Sequence, residues 1–172
     1  MKFKLSTSIN LRNIEIVLEL LKRNPEEIQS IVHNVAPQTL ITRQNPNTWA
    51  FIEILSHLHA CASIWGASIF SMLDENSPTL EEIHPGKWHR LAEFNSLAFD
   101  DFLNLYVQQR KMLIARLESL EMDDWHRFAW INNRKHTVFS QARRMALHEF
   151  DHLDQFREQR KLIQQNHPIS PC

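Results

Sequence analysis

Residues 147–155 read LHEFDHLDQ and hold two imidazoles and three carboxylates. His148 and His152 are four apart. On a helix turning about 100° per residue they lie about 40° apart on one face, so both rings can reach one ion. The apolar stripe of the same segment is Val138, Ala142, Met145, Ala146, Leu153 and Phe156, and the two histidines run along its edge. An edge of this kind faces a neighbouring helix or the mouth of a cleft. An isolated H-x-x-x-H in a soluble helix is a weak signal, and partly exposed structural histidines produce the same letters.

Glu149 falls near the middle of that stripe, where an unpartnered carboxylate is costly. Three roles are open to it. It can accept from the outer N–H of a ligating imidazole, act as a general base, or pair with an Arg or Lys of a neighbouring helix. Asp151 and Asp154 point away from the stripe, toward solvent. The letters His148-Glu149-Phe150-Asp151-His152 also fit the H-E-x-x-H zincin pattern. A zincin needs a third ligand downstream and a sheet above the site. Only His167 follows, in the tail, with no strand pattern.

A third ligand must then come from another helix. His57 and His59 in SHLHA are two apart, about 160° around a helix, so only one can face a given cleft. Spacing alone leaves that choice open. His33 closes the first helical segment, where it suits the negative end of the helix dipole. His84, His89, His126 and His136 lie in or beside connections, and nothing in their spacing selects them.

Four long helical segments position these residues. The first spans about 10–34, with Leu11, Ile14, Val17, Leu18 and Leu21 at helical spacing. Asn24-Pro25-Glu26-Glu27 inside it is a helix-start pattern, so the segment kinks at Pro25 or is two helices end to end. The second runs from near Thr48, its expected cap, to about Leu73, with Ile54, Leu55, Leu58, Ala62, Trp65, Ile69 and Met72 on one face. Residues 74–93 form a connection in which Thr79-Leu80-Glu81-Glu82 reads as a short capped helical turn. The third helix, about 94–121, carries Leu97, Phe102, Leu105, Tyr106, Met112, Leu113, Leu117 and Leu120. A connection with an Asn132-Asn133 turn signal leads to the fourth, from near Thr137 to before Pro168.

Helices of roughly 25 residues in this number make an all-α four-helix bundle. The connection between the second and third helices is long enough to cross the bundle, which permits an up-down-down-up order. Up-down-up-down is the alternative. The chain of 172 residues reads as one domain over 1–166 with a flexible tail at 167–172. With two glycines, it is poorly supplied for tight hairpins and for phosphate-cradling loops, so no sheet of consequence is expected. A net charge of -1 argues against nucleic-acid and membrane partners. The N-terminal MKFKLSTSIN lacks a signal-peptide core, and Cys61 and Cys172 read as reduced thiols, so the expected setting is cytoplasmic.

WAFIEILSHL, from Trp49 to Leu58, resembles the second-helix signature of the DinB-like (DNA-damage-inducible) superfamily, a Trp at a helix start followed by His-Leu. TVFSQARRMALHEFDHLDQ, from Thr137 to Gln155, is similar to that family's last helix, where a capping Thr leads to H-x-x-x-H followed by Gln. The Pro-Glu-Glu of the first segment and the long second connection fit as well, and the resemblance covers roughly residues 10–160. It implies the up-down-down-up bundle with a three-histidine metal site. Carried over, the ligands are His57, His148 and His152, which decides His57 over His59.

Three neutral imidazoles leave an open position, the arrangement of catalytic zinc. Zinc or nickel is the leading expectation, with iron or manganese also suited to the donor set. The resemblance further implies a thiol-dependent S-transferase or isomerase that uses a low-molecular-weight thiol cosubstrate on a small-molecule substrate, working as a homodimer. The alternatives are a metal-dependent hydrolase, with Glu149 as the nearby base, and a non-catalytic, stress-related binding protein.

Overall fold

The computed structural model describes residues 4–84 and 98–166. In chain order these form α1 (Leu11–Val32), α2 (Pro37–Ile41), α3 (Phe51–Asp74), β1 (Thr79–Leu80), α4 (Phe99–Glu118), a 3-10 turn (Asp124–His126), β2 (Phe128–Ile131), β3 (Arg134–Thr137) and α5 (Val138–Asn166). The molecule is mostly helical, and α1, α3, α4 and α5 are the long helices.

Their apolar faces meet in one hydrophobic core. Every residue of the predicted stripes of α3 and α5 is buried, from Ile54 to Met72 and from Val138 to Phe156. On α4 the prediction holds for Phe102, Tyr106, Leu113 and Leu117, but Leu105 and Met112 are exposed. Helix α5 is the longest and packs chiefly against α1 and α3.

Pro25 neither breaks α1 nor divides it in two; the helix is continuous through it. The residue before it, Asn24, is fully buried and donates its amide N–H to the Ala146 carbonyl of α5 at 3.1 Å. Thus the helix-start pattern in mid-segment serves a contact between helices. The true start is capped by Asn10, whose side chain accepts from the Asn13 N–H at 3.0 Å. Thr48 does not cap α3. That helix begins three residues later, after Ala50, whose N–H donates to the Glu53 carboxylate at 2.8 Å. At the start of α5 the expected cap is present: Thr137 Oγ1 accepts from the Ser140 N–H at 3.1 Å, and Ser140 Oγ accepts from the Thr137 N–H at 2.9 Å.

No sheet of consequence was expected, and a small one is present. Three short strands form a sheet of order β1-β2-β3, with β1 parallel and β2 antiparallel to its neighbour. Thr79-Leu80 is therefore a strand edge against Trp130-Ile131, not a helical turn. The β2–β3 hairpin turns at Asn132 and Asn133, whose φ values of 49° and 58° lie in the left-handed region. Asparagine tolerates that region, so two asparagines supply the turn that scarce glycine had seemed to deny. The sheet packs over α3 and α5. His89, Leu97, His167, Cys172 and the tail at 167–172 lie outside the described residues. Among those described, no helix is long and apolar enough to cross a membrane.

Candidate metal centre

Helices α3 and α5 lie against each other, and each presents a pair of donors one turn apart. His57 and Cys61 come from α3, and His148 and His152 from α5. Across the interface, His57 Nε2 and His148 Nε2 face each other at 3.2 Å. The Cys61 Sγ is 3.6 Å from the same His57 nitrogen. Donor atoms of His57, Cys61 and His148 all lie within 4.8 Å of one another, which makes the three a possible metal site. His152 completes the cluster of rings. Its centroid is 4.9 Å from that of His57 and 4.5 Å from that of His148, and the His57–His148 centroids are 5.0 Å apart.

The three histidines singled out by sequence are thus brought together. His59 is not among them; its ring lies 5.1 Å from that of Phe102 on α4. The half-turn between positions 57 and 59 sends one imidazole to α5 and the other to α4.

Two tryptophans wall the cluster. Trp49 stacks nearly parallel to His152, at 6.5 Å and 6°, and sets its edge toward His57 at 5.4 Å. Trp65 meets His148 edge-on at 5.1 Å. The Arg144 guanidinium lies over the Trp65 ring, 4.4 Å from its centroid. A cavity of ≈ 240 Å³ beside Trp49, His152 and Gln155 opens to this side of the centre. A second, of ≈ 360 Å³, lies beyond Trp65, among Arg144, Gln141, His136 and the β2–β3 turn. His84 lines that second cavity as well.

Burial favours the neutral form of His148 and His152, and neighbouring charge adds to it at His148. His148 is pushed down to about 3, first by burial and then by His152, His57 and Arg144. Burial also lowers His152, against the hydrogen bond to Gln155 and the charge of Asp151. Its Nδ1–H donates to Gln155 Oε1 at 2.8 Å, which leaves the Nε2 lone pair free to ligate. The Cys61 thiol is pushed up to about 12, by burial first and then by Glu149, with Arg144 opposing.

Donor chemistry and spacing fit a divalent transition ion. Neutral nitrogen donors are what such ions require. Two nitrogens each about 2.0–2.1 Å from a tetrahedral zinc stand ~3.3 Å apart, close to the spacing of the His57 and His148 nitrogens.

Glu149 is buried and forms an ion pair with Arg110 of α4. Of the three roles open to it, partnership with a cation of a neighbouring helix is the one the structure displays. Burial pushes its carboxyl up while Arg110 pulls it down. Arg110 also reaches the Met145 sulfur and lies 5.7 Å from the Tyr106 ring centroid. Asp154 is exposed and pairs with Arg157 at 2.8 Å, away from the centre.

Cys61, Trp65 and Arg110 had no place in the sequence reading of the site. A signal for Cys61 was available: it follows His57 by four, as His152 follows His148.

Fold and centre together define a class, helical proteins that gather histidines from two packed helices into a metal-type site. The chain belongs to the DinB superfamily, whose family model matches residues 20–156. Among solved structures it is similar to YfiT from Bacillus subtilis, described as a probable metal-dependent hydrolase with an unusual four-helix bundle topology. That match has a TM-score of 0.81 at 16% identity and covers 94% of each chain, so the likeness is one of fold, a four-helix bundle. No curated protein matches the sequence.

Proposed function

We propose that this chain is a metal-dependent enzyme whose ion is held by His57, His148 and His152, and that it uses a low-molecular-weight thiol to conjugate or isomerise a small electrophilic substrate. The observation that supports the reading is the convergence of the three rings, 4.5–5.0 Å apart by centroid, at the α3–α5 interface. When bound, the ion acidifies a thiol or water in its open position. Zinc or nickel suits the nitrogen donors best, and iron or manganese is compatible with them. The chain's own residues do the rest. Gln155 orients His152, Trp49 and Trp65 keep bulk water from the rings, and the cavity beside Trp49 and His152 receives the substrate.

The second reading, a metal-dependent hydrolase, is favoured by the description of YfiT. Hydrolysis needs a base beside the attacking water. Glu149 is the motif-adjacent carboxylate, and it is engaged by Arg110 inside the core. That engagement ranks thiol transfer first.

The reading includes an up-down-down-up helix order, with the α3–α4 connection crossing the bundle. It also includes a cytoplasmic homodimer without nucleic-acid or membrane partners. Leu105 and Met112, exposed and two turns apart on α4, support pairing through that face, and light scattering at micromolar concentration should give twice the monomer mass of 20.4 kDa. A monomer mass there ends the dimer proposal.

The test of the centre is elemental analysis of protein purified without a His tag or chelator. One equivalent of transition metal is expected, reduced to a small fraction by His152→Ala and retained by His59→Ala. Thiol-conjugation assays then separate the two chemistries. A wild-type protein without a stoichiometric ion would sink the metal reading.

A further inference from the structure

Each of the two helices at the centre contributes a donor pair with the same i,i+4 spacing, His57 with Cys61 and His148 with His152. Residues so spaced share one helix face, and the two faces oppose each other here. The Cys61 side chain is buried at 2% exposure and directed into the cluster, with its sulfur 3.6 Å from His57 Nε2. In a tetrahedral zinc site with Zn–S of about 2.3 Å and Zn–N of about 2.0–2.1 Å, sulfur and nitrogen stand ~3.6 Å apart. The observed sulfur–nitrogen and nitrogen–nitrogen spacings, 3.6 and 3.2 Å, thus both approach the edges of one such tetrahedron. The donor atoms that lie within 4.8 Å of one another are those of His57, Cys61 and His148.

We propose that Cys61 is a fourth protein donor to the metal centre, completing a three-histidine, one-thiolate set. The proposal rests on the metal reading above and deepens it. The chain's own thiolate then stands where an incoming thiol or water would bind, and the resting centre is closed by a residue that a substrate thiol must displace. The donor set favours ions that accept sulfur, such as zinc, cobalt or nickel, over magnesium and calcium. On binding, the metal–sulfur bond forms, the S–H bond breaks and the proton leaves to solvent, with no change of oxidation state.

The test uses the full chain carrying Cys172→Ser, so that Cys61 is its one thiol, made without a His tag and kept free of thiol reductants. Loaded with one equivalent of cobalt(II), it should show visible ligand-field bands and a near-ultraviolet sulfur-to-cobalt charge-transfer band. Adding Cys61→Ser should abolish the near-ultraviolet band while cobalt stays bound through the imidazoles. Bound cobalt without that band overturns the proposal and leaves the three-histidine reading standing. Persistence of the band in Cys61→Ser also overturns it. Failure to bind cobalt overturns both. Should Cys61→Ser fail to fold, zinc X-ray absorption on the Cys172→Ser protein decides. One sulfur at about 2.3 Å is expected, and a shell of nitrogen and oxygen alone refutes the assignment.

Discussion

Glu149 and His148 are adjacent in sequence and face different partners, one tied to Arg110 in the core and the other set among the imidazoles of the α3–α5 interface. This division follows from helical geometry, since consecutive side chains diverge by about 100°. A buried ion pair is weak evidence of net stability, but breaking one leaves a bare charge in low dielectric. Glu149→Ala should therefore destabilise the protein by about 3–5 kcal/mol, read as a lower urea midpoint, because Arg110 is fully buried and keeps its charge. A change below about 1 kcal/mol would mean that Arg110 finds water or another partner. The same measurement on His152→Ala should show only a small loss, since that ring sits at the edge of the core and a metal-free bundle is held by its apolar stripes.

At the scale of elements, α3 does two jobs. It buries a broad apolar face and it carries His57 and Cys61. Its one glycine, Gly66, is buried in mid-helix, yet a Cβ there would meet nothing within 4 Å. Gly66→Ala should stabilise the protein by about 0.5–1 kcal/mol, because alanine loses less backbone entropy on entering a helix and the site has room. Thermal unfolding would show a raised Tm, whereas a fall would mean that the neighbouring packing is tighter than the geometry indicates. The β2–β3 hairpin is the element whose form the sequence reading did not foresee. Its turn residues were visible as Asn132-Asn133, but four-residue strands carry too few positions for alternation to stand out beside long helices.

For the whole molecule, the neutral histidines link stability to acid. The folded pKa of His148 is about 3, below its ordinary 6.5, so between these values the unfolded chain holds a proton that the folded chain lacks. Stability then rises with pH across that window and is lost as pH falls through it. His152, His59 and His136 are shifted in the same direction. The metal-free protein should lose urea resistance progressively as pH drops from 6.5 toward 3, and metal affinity should fall over the upper part of the same range because bound imidazole must be deprotonated. Flat stability across the range would contradict the buried, neutral state of these rings.

The sequence by itself determined the four long helices, the apolar faces of α3 and α5, the start of α5 near Thr137 and the i,i+4 pair on α5. Each is local, written in a period of 3.6 or in a side chain that reaches its own backbone. Family likeness, carried by Trp49, His57 and the last-helix motif, selected His57 over His59. Tertiary structure alone decided which cation meets Glu149, that Pro25 sits in an unbroken helix, that Thr79-Leu80 pairs with a strand some fifty residues on, and that Cys61 stands beside His57 and His148. Those depend on which faces of distant segments come together. That is settled by packing the whole core at once, and no window of neighbouring residues contains it.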